Sequence, residues 1–230
     1  MTATLTAPFA AFGIEATKIN IGIYAKNEGR YDMALRVFEP LVEIGYGAAQ
    51  YEMAEMYEYG MGLKKDLKKA AELYLKAAKQ GYPRAQFRMS VIYDEGKIVP
   101  KDIKESVKWL KKAATLGLPA AQFNYAVALS DGVKVPMDKK KAFYWYEQAA
   151  FQDYVLAQFN LALLYAEGSG TRKDNIMSYV WNTIAARKGF NDAARSLEID
   201  RRILTIEQTK TAKYKVNEVQ RKIESKRTDF

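Results

Sequence analysis

The chain has 230 residues, 49% of them apolar, enough to bury a continuous core rather than remain disordered. Cysteine and histidine are both absent, which removes disulfides, thiolate or imidazole metal sites, and serine–histidine or cysteine–histidine nucleophile pairs. The formal net charge of +9 favours an acidic partner or surface, and a mean hydropathy of −0.32 with no long apolar run argues against a membrane-spanning helix.

The start is apolar and small. Residues 1–12, with Leu5, Ala7, Pro8, Phe9, Ala10, Ala11 and Phe12, lack the basic opening of a secretory signal but resemble the trimmed end of one. They are expected to be a flexible segment, or one that docks on the chain's own groove or on a neighbouring chain. A periplasmic or envelope location follows if they are an export remnant, and a cytoplasmic one otherwise. Residues 13–46 outline a helix pair with a short internal connection, through Tyr24, Gly29, Tyr31, Ala34, Phe38 and Gly45.

From residue 47 the chain repeats every 36 positions without a gap. Ala49, Ala85, Ala121, Ala157 and Ala193 share one column, and Gln50, Gln86, Gln122 and Gln158 the next. An aromatic column follows at Tyr51, Phe87, Phe123 and Phe159. Gln50, Ala54 and Tyr57 are spaced as one buried helical face, and each such helix, here called A, is predicted to stop at Gly60, Gly96, Gly132 or Gly168. Asp66, Asp102, Asp138 and Asp174 are placed to cap a second helix, B. Helix B carries Leu73, Trp109, Trp145 and Trp181 in one register, then paired alanines, and ends near Gly81, Gly117, Asp153 or Gly189. A shared register marks the three tryptophans as packing residues. Bulky rings opposite small residues let two helices approach closely and stack on the next pair. The array is assigned to residues 47–192 as four repeats. Residues 193–230 form a partial repeat and a terminal helix opened by the capping box Thr205 to Gln208, with fraying expected after Lys226.

These columns, Ala-Gln-aromatic, Ala, Tyr and Gly followed by Lys-Asp, Ala, Trp-Tyr, Ala-Ala and Gly, resemble the Sel-one-like repeat family, a relative of the tetratricopeptide repeats; residues 13–46 are more similar to a tetratricopeptide unit. The resemblance implies an all-α, right-handed superhelical solenoid of stacked antiparallel helix pairs with a C-terminal capping helix. It also implies a non-catalytic adaptor or scaffold, with no cofactor, no metal and no small-molecule substrate. Many bacterial relatives are exported to the cell envelope. Carried over residue by residue, the concave wall comprises Tyr51, Glu55, Glu58 and Tyr59, then Phe87, Val91, Asp94 and Glu95, then Phe123, Val127 and Asp131, and finally Phe159, Leu163 and Glu167.

The expected partner is a protein or peptide, partly basic, held by aromatic contacts and oriented by carboxylates. The aromatic column at Tyr51, Phe87, Phe123 and Phe159 either lines that groove or is buried between repeats, and sequence leaves both open. A narrower form is an immunity or inhibitor-type protein docking on an enzyme or toxin. A different class is a basic-surface binder of nucleic acid or anionic membrane through helix B lysines such as Lys68, Lys104 and Lys140, although no nucleic-acid recognition motif accompanies them. A carboxylate-based hydrolase is disfavoured, because aspartates recurring once per helix layer are too far apart to converge and capping already explains them. Oligomeric state is not legible.

Overall fold

The computed structural model describes the backbone of residues 7–227 and the side chains of residues 17–226. The expected docking or export-remnant role of residues 1–12 lies outside the described side chains, and residues 1–6 lie outside the described backbone. Among the described residues every regular element is a helix. In order these are α1 (Ala7–Asn27), α2 (Tyr31–Glu43), α3 (Gly47–Tyr59), α4 (Leu67–Lys79), α5 (Pro83–Glu95), α6 (Ile103–Thr115), α7 (Pro119–Asp131), α8 (Lys139–Phe151), α9 (Val155–Glu167), α10 (Asn175–Arg187), α11 (Asn191–Ile203) and α12 (Ile206–Arg227). Residues 7–12, assigned above to a flexible segment, have helical backbone as the first turns of α1. The fold is all-α, of stacked helix pairs. The chain divides into two compact units at Trp109 and Leu110, within α6.

The periodic columns explain the helix ends. Gly60, Gly96, Gly132 and Gly168 all close an A helix in the left-handed conformation, with φ between 70 and 75°. The four expected aspartates cap the B helices. The Oδ1 atoms of Asp66, Asp102, Asp138 and Asp174 accept from the backbone N–H three residues on, at 3.0 Å each. Their own N–H groups donate back to Tyr57, Tyr93, Leu129 and Tyr165 on the preceding A helix, which fixes the path of every connection. At the end of helix B the left-handed position is Gly81, Gly117 or Gly189 in three repeats and Asp153, at φ 68°, in the fourth.

The glutamine column has a structural role that periodicity alone did not show. The Nε2 atoms of Gln86, Gln122 and Gln158 donate to the carbonyls of Ala78, Ala114 and Ala150, at 3.1 to 3.2 Å. Each therefore adds a second donor to a carbonyl in the last turn of the preceding B helix, which also accepts from the backbone N–H three residues on, and so ties successive helices together inside the core.

In the first unit α1 packs on α2, α2 on α3, α3 on α4 and α4 on α5. Phe38, Met56, Tyr74, Met89 and Ile92 fill its core beneath the alanines Ala49, Ala54, Ala77 and Ala78. In the second unit α7 packs on α8, α8 on α9, α9 on α10 and α10 on α11. Trp181, Leu161, Ile184 and Ile223 are its largest fully buried apolar side chains among the described residues. Trp109 and Trp181 are buried and Trp145 is half-buried, so the tryptophan register packs as expected. The helix α12 opens on the expected capping box, Thr205 N–H donating to Gln208 Oε1 at 3.0 Å and Gln208 N–H to Thr205 Oγ1 at 3.2 Å. It packs chiefly on α10 through its apolar stripe Ala212, Val216, Val219 and Ile223, all buried. Helical backbone extends to Arg227, past the residue after which fraying was expected.

Candidate functional site

The A-helix positions expected to face a partner divide sharply between the two units. In the first unit, α3 carries Tyr51, Glu55, Glu58 and Tyr59 one after another along its face. Tyr51 and Glu58 are each only 7% exposed, so the first ring of the aromatic column is buried, and the expected place of Glu58 in an open groove is corrected. The Tyr51 ring is held between Tyr74 of α4 and Tyr82 of the next turn, at centroid separations of 5.5 and 5.3 Å. Its hydroxyl donates to Glu55 at 2.6 Å.

The carboxylates of this face are already occupied. Lys26, from α1, is 9% exposed and pairs with both Glu52 and Glu55. Burial alone would push the Lys26 ammonium down, but its bonds to Glu52 and Glu55 outweigh that and hold it above the usual lysine range. Arg84 lies over the Tyr51 ring and 3.9 Å from Glu52. Glu58 accepts from the Tyr74 hydroxyl at 2.8 Å and from Arg88 Nε at 3.1 Å, with a second Arg88 contact to its other oxygen. The expectation that these carboxylates orient a basic peptide is therefore revised, because Glu52, Glu55 and Glu58 are neutralised from within the chain. Of the rest of this unit's face, Phe87, Val91 and Asp94 are half-buried, while Tyr59 and Glu95 are exposed, Glu95 3.3 Å from Lys97.

The second unit presents a different face. Phe123 and Val127 of α7 and Phe159 and Leu163 of α9 are half-buried, and no charged side chain stands at their positions. The Phe123 ring packs on Tyr146 of α8 and on Tyr154 in the turn that opens α9, at 5.7 and 5.3 Å. Phe159 packs on Phe190 at 5.1 Å. The aromatic column thus lies between repeats with part of each ring accessible in this unit, an intermediate outcome for the question the sequence left open. Asp131 and Glu167 are exposed at the ends of their helices, and Asp131 Oδ1 accepts from the Val133 N–H at 2.9 Å.

Sequence reasoning passed over two residues here. Asn124 and Asn160 recur one repeat apart beside the two phenylalanines, and each donates one amide hydrogen to the carbonyl four residues before, at 2.7 and 2.8 Å. Among the described residues neither side-chain carbonyl makes a hydrogen bond, and each amide keeps a second N–H. The pairing partners of Glu52 and Glu55 were missed for a different reason. Lys26 lies outside the periodic array, 26 and 29 residues before them. Among the described residues no group of histidine, cysteine, aspartate or glutamate is placed to hold a metal ion, and no helix is long and apolar enough to cross a membrane.

Stacked helix pairs that present side chains in register from successive A helices define a helical-repeat scaffold. The Sel1 repeat model matches residues 47–82, 83–118, 119–154 and 155–190, and the chain belongs to the Sel1 repeat family. Repeats of this family typically serve protein–protein interaction and are generally non-catalytic. The chain is similar to a Sel1 repeat protein from Oxalobacter formigenes, at 29% identity and a TM-score of 0.72, over 78% of this chain and 74% of that one. It is also similar to a protective antigen present in uropathogenic Escherichia coli strains displaying an SLR fold, at 25% identity and a TM-score of 0.59, over 93% of this chain and 55% of that one. An immunity protein from Pseudomonas aeruginosa is 24% identical at a TM-score of 0.45, a likeness too weak to carry the inhibitor reading. No curated protein matches by sequence.

Proposed function

We propose that the protein is a non-catalytic interaction scaffold that seats a segment of a partner protein on the A-helix face of its second unit, along Phe123, Val127, Phe159 and Leu163. The observation that carries this is the contrast between the two units. On α3 the acidic side chains Glu52, Glu55 and Glu58 are paired with Lys26 and Arg88. The second face keeps accessible apolar surface flanked by two asparagine amides with unused hydrogen-bonding capacity. Apolar anchors supply affinity and amides can pair with a partner's backbone, whatever its sequence. Asp131 and Glu167 stand at the ends of these helices, so the segment is expected to be apolar with a cationic flank.

The test is a photoreactive phenylalanine analogue placed singly at Val127, at Leu163, or at exposed Lys140 on the B-helix side of the same unit. Adducts with one partner from the first two positions and not from Lys140 are expected. Adducts from Lys140 alone would move the binding surface to the basic helix B face.

A further inference from the structure

The helices α11 and α12 both pack on α10, and where the three meet they leave an open recess of about 520 Å3. Three of its lining side chains are cationic: Arg187 from the last turn of α10, Arg201 from the last turn of α11 and Lys213 from α12. None of its lining residues is acidic. Cations at the ends of α10 and α11 complement the helix dipoles, which accounts for the two arginines singly. It does not account for Lys213, which lies in the middle of α12, nor for the convergence of all three on one cavity.

The surroundings cancel only part of this charge. Leu197 and Val216, both buried, form apolar wall beside the exposed cations. The carboxylate buried closest in sequence, Asp200, is held by Ser178 and Asn182 and not by any arginine. Glu198 engages only the Nη1 atom of Arg201, in an exposed pair, which leaves the rest of that guanidinium available. Two guanidinium forks and an ammonium match a multiply charged tetrahedral oxyanion better than a single carboxylate, because each fork can hold two oxygens and the ammonium adds a point charge.

We propose that this recess is a phosphoryl-binding site, with Arg187, Arg201 and Lys213 as the groups that hold the phosphoryl oxygens. The proposal stands independently of the A-helix surface, which lies on other helices. The phosphoryl group belongs either to a free phosphorylated compound or to a lipid headgroup, and the two are separated by experiment.

Pyrophosphate titrated into the full chain at constant ionic strength is expected to bind saturably. Arg187→Gln combined with Lys213→Gln should weaken that binding at least tenfold, since each lost charge-assisted contact accounts for about tenfold or more. All three cations are exposed, so folding should be unaffected. The control, Lys68→Gln with Lys76→Gln, removes the same charge from exposed positions of the first unit and should bind as wild type does. Flotation with phosphatidylcholine vesicles carrying phosphatidic acid distinguishes the sources. Recruitment that pyrophosphate competes away and the double variant loses assigns a headgroup, and no such recruitment beside saturable pyrophosphate binding assigns a free compound. Equal weakening in the control, or no saturable binding and no recruitment, overturns the proposal.

Discussion

Replacing Lys26 by methionine tests whether the buried charge cluster of the first unit holds α1 in place. The lysine side chain is 8% exposed and that of Glu52 is 2%, so the substitution keeps most of the packed stem and removes only the ammonium. Stripping one partner from a buried ion pair costs about 3–5 kcal/mol, because the remaining charge stays desolvated. Arg84, 3.9 Å from Glu52, and the Tyr51 hydroxyl, 2.6 Å from Glu55, offset part of this. The expected loss is therefore about 2–4 kcal/mol at neutral pH. Urea unfolding followed by circular dichroism gives the magnitude, and hydrogen exchange should place the loss in α1 to α3, since repeats couple chiefly to their neighbours. The decisive comparison is the triple variant Lys26→Met, Glu52→Met, Glu55→Gln, whose glutamine keeps an uncharged acceptor for the Tyr51 hydroxyl. With every charge of the trio gone, stability should return to within about 1 kcal/mol of wild type. A single variant as stable as wild type, or a triple variant as unstable as the single, would refute the reasoning.

Asp200 is buried at 5% exposure, held by Ser178 and Asn182, and burial pushes its carboxyl above the usual 3.8 despite those two bonds. A raised folded-state value means that its contribution is complete below pH 3.8 and is lost as pH rises through the raised value. Asp200→Asn should thus be at least as stable as wild type near pH 7 and lack that part of the pH slope, with Asn182 Oδ1, buried and unbonded, available to accept the new amide once its own amide turns. Asp200→Ala, which strands the Ser178 and Asn182 donors, should lose about 1–3 kcal/mol in the same urea titration. Asp138→Ala removes the α8 cap and should cost about 1 kcal/mol, seen as faster exchange in the first turn of that helix. Gly117 and Gly170 both have positive φ, but a Cβ on Gly117 would meet nothing within 4 Å, whereas one on Gly170 would lie 2.0 Å from the Lys139 carbonyl oxygen. Gly117→Ala should cost about 1–2 kcal/mol from backbone strain alone. Gly170→Ala should cost clearly more in parallel melts, because the backbone near Lys139 must also move.

The helix ends, the paired helices and the packing columns were legible because each is a local or periodic requirement. An aspartate caps the residue three positions on, a glycine accepts the left-handed turn, and an alanine opposite a ring recurs wherever two helices must approach. Those demands repeat with the 36-residue unit, so the chain displays them four times over. The candidate surface was only half legible. Its positions followed from the register, but Tyr51 and Glu58 turned out buried, and Asn124 and Asn160 were overlooked because an asparagine's partner cannot be read from its own column.

By itself, the sequence determined an all-α repeat architecture, its caps and the alanine and tryptophan columns of its core. Only the tertiary structure decided which charges meet. Lys26 reaches Glu52 and Glu55 from a helix outside the periodic array, Arg88 reaches Glu58 from the following repeat, and Arg187, Arg201 and Lys213 converge from three different helices. The physical reason is range: caps and helical faces are settled within a few residues along the chain, whereas ion pairs and recesses depend on distances between side chains that only the packing of whole helices brings together.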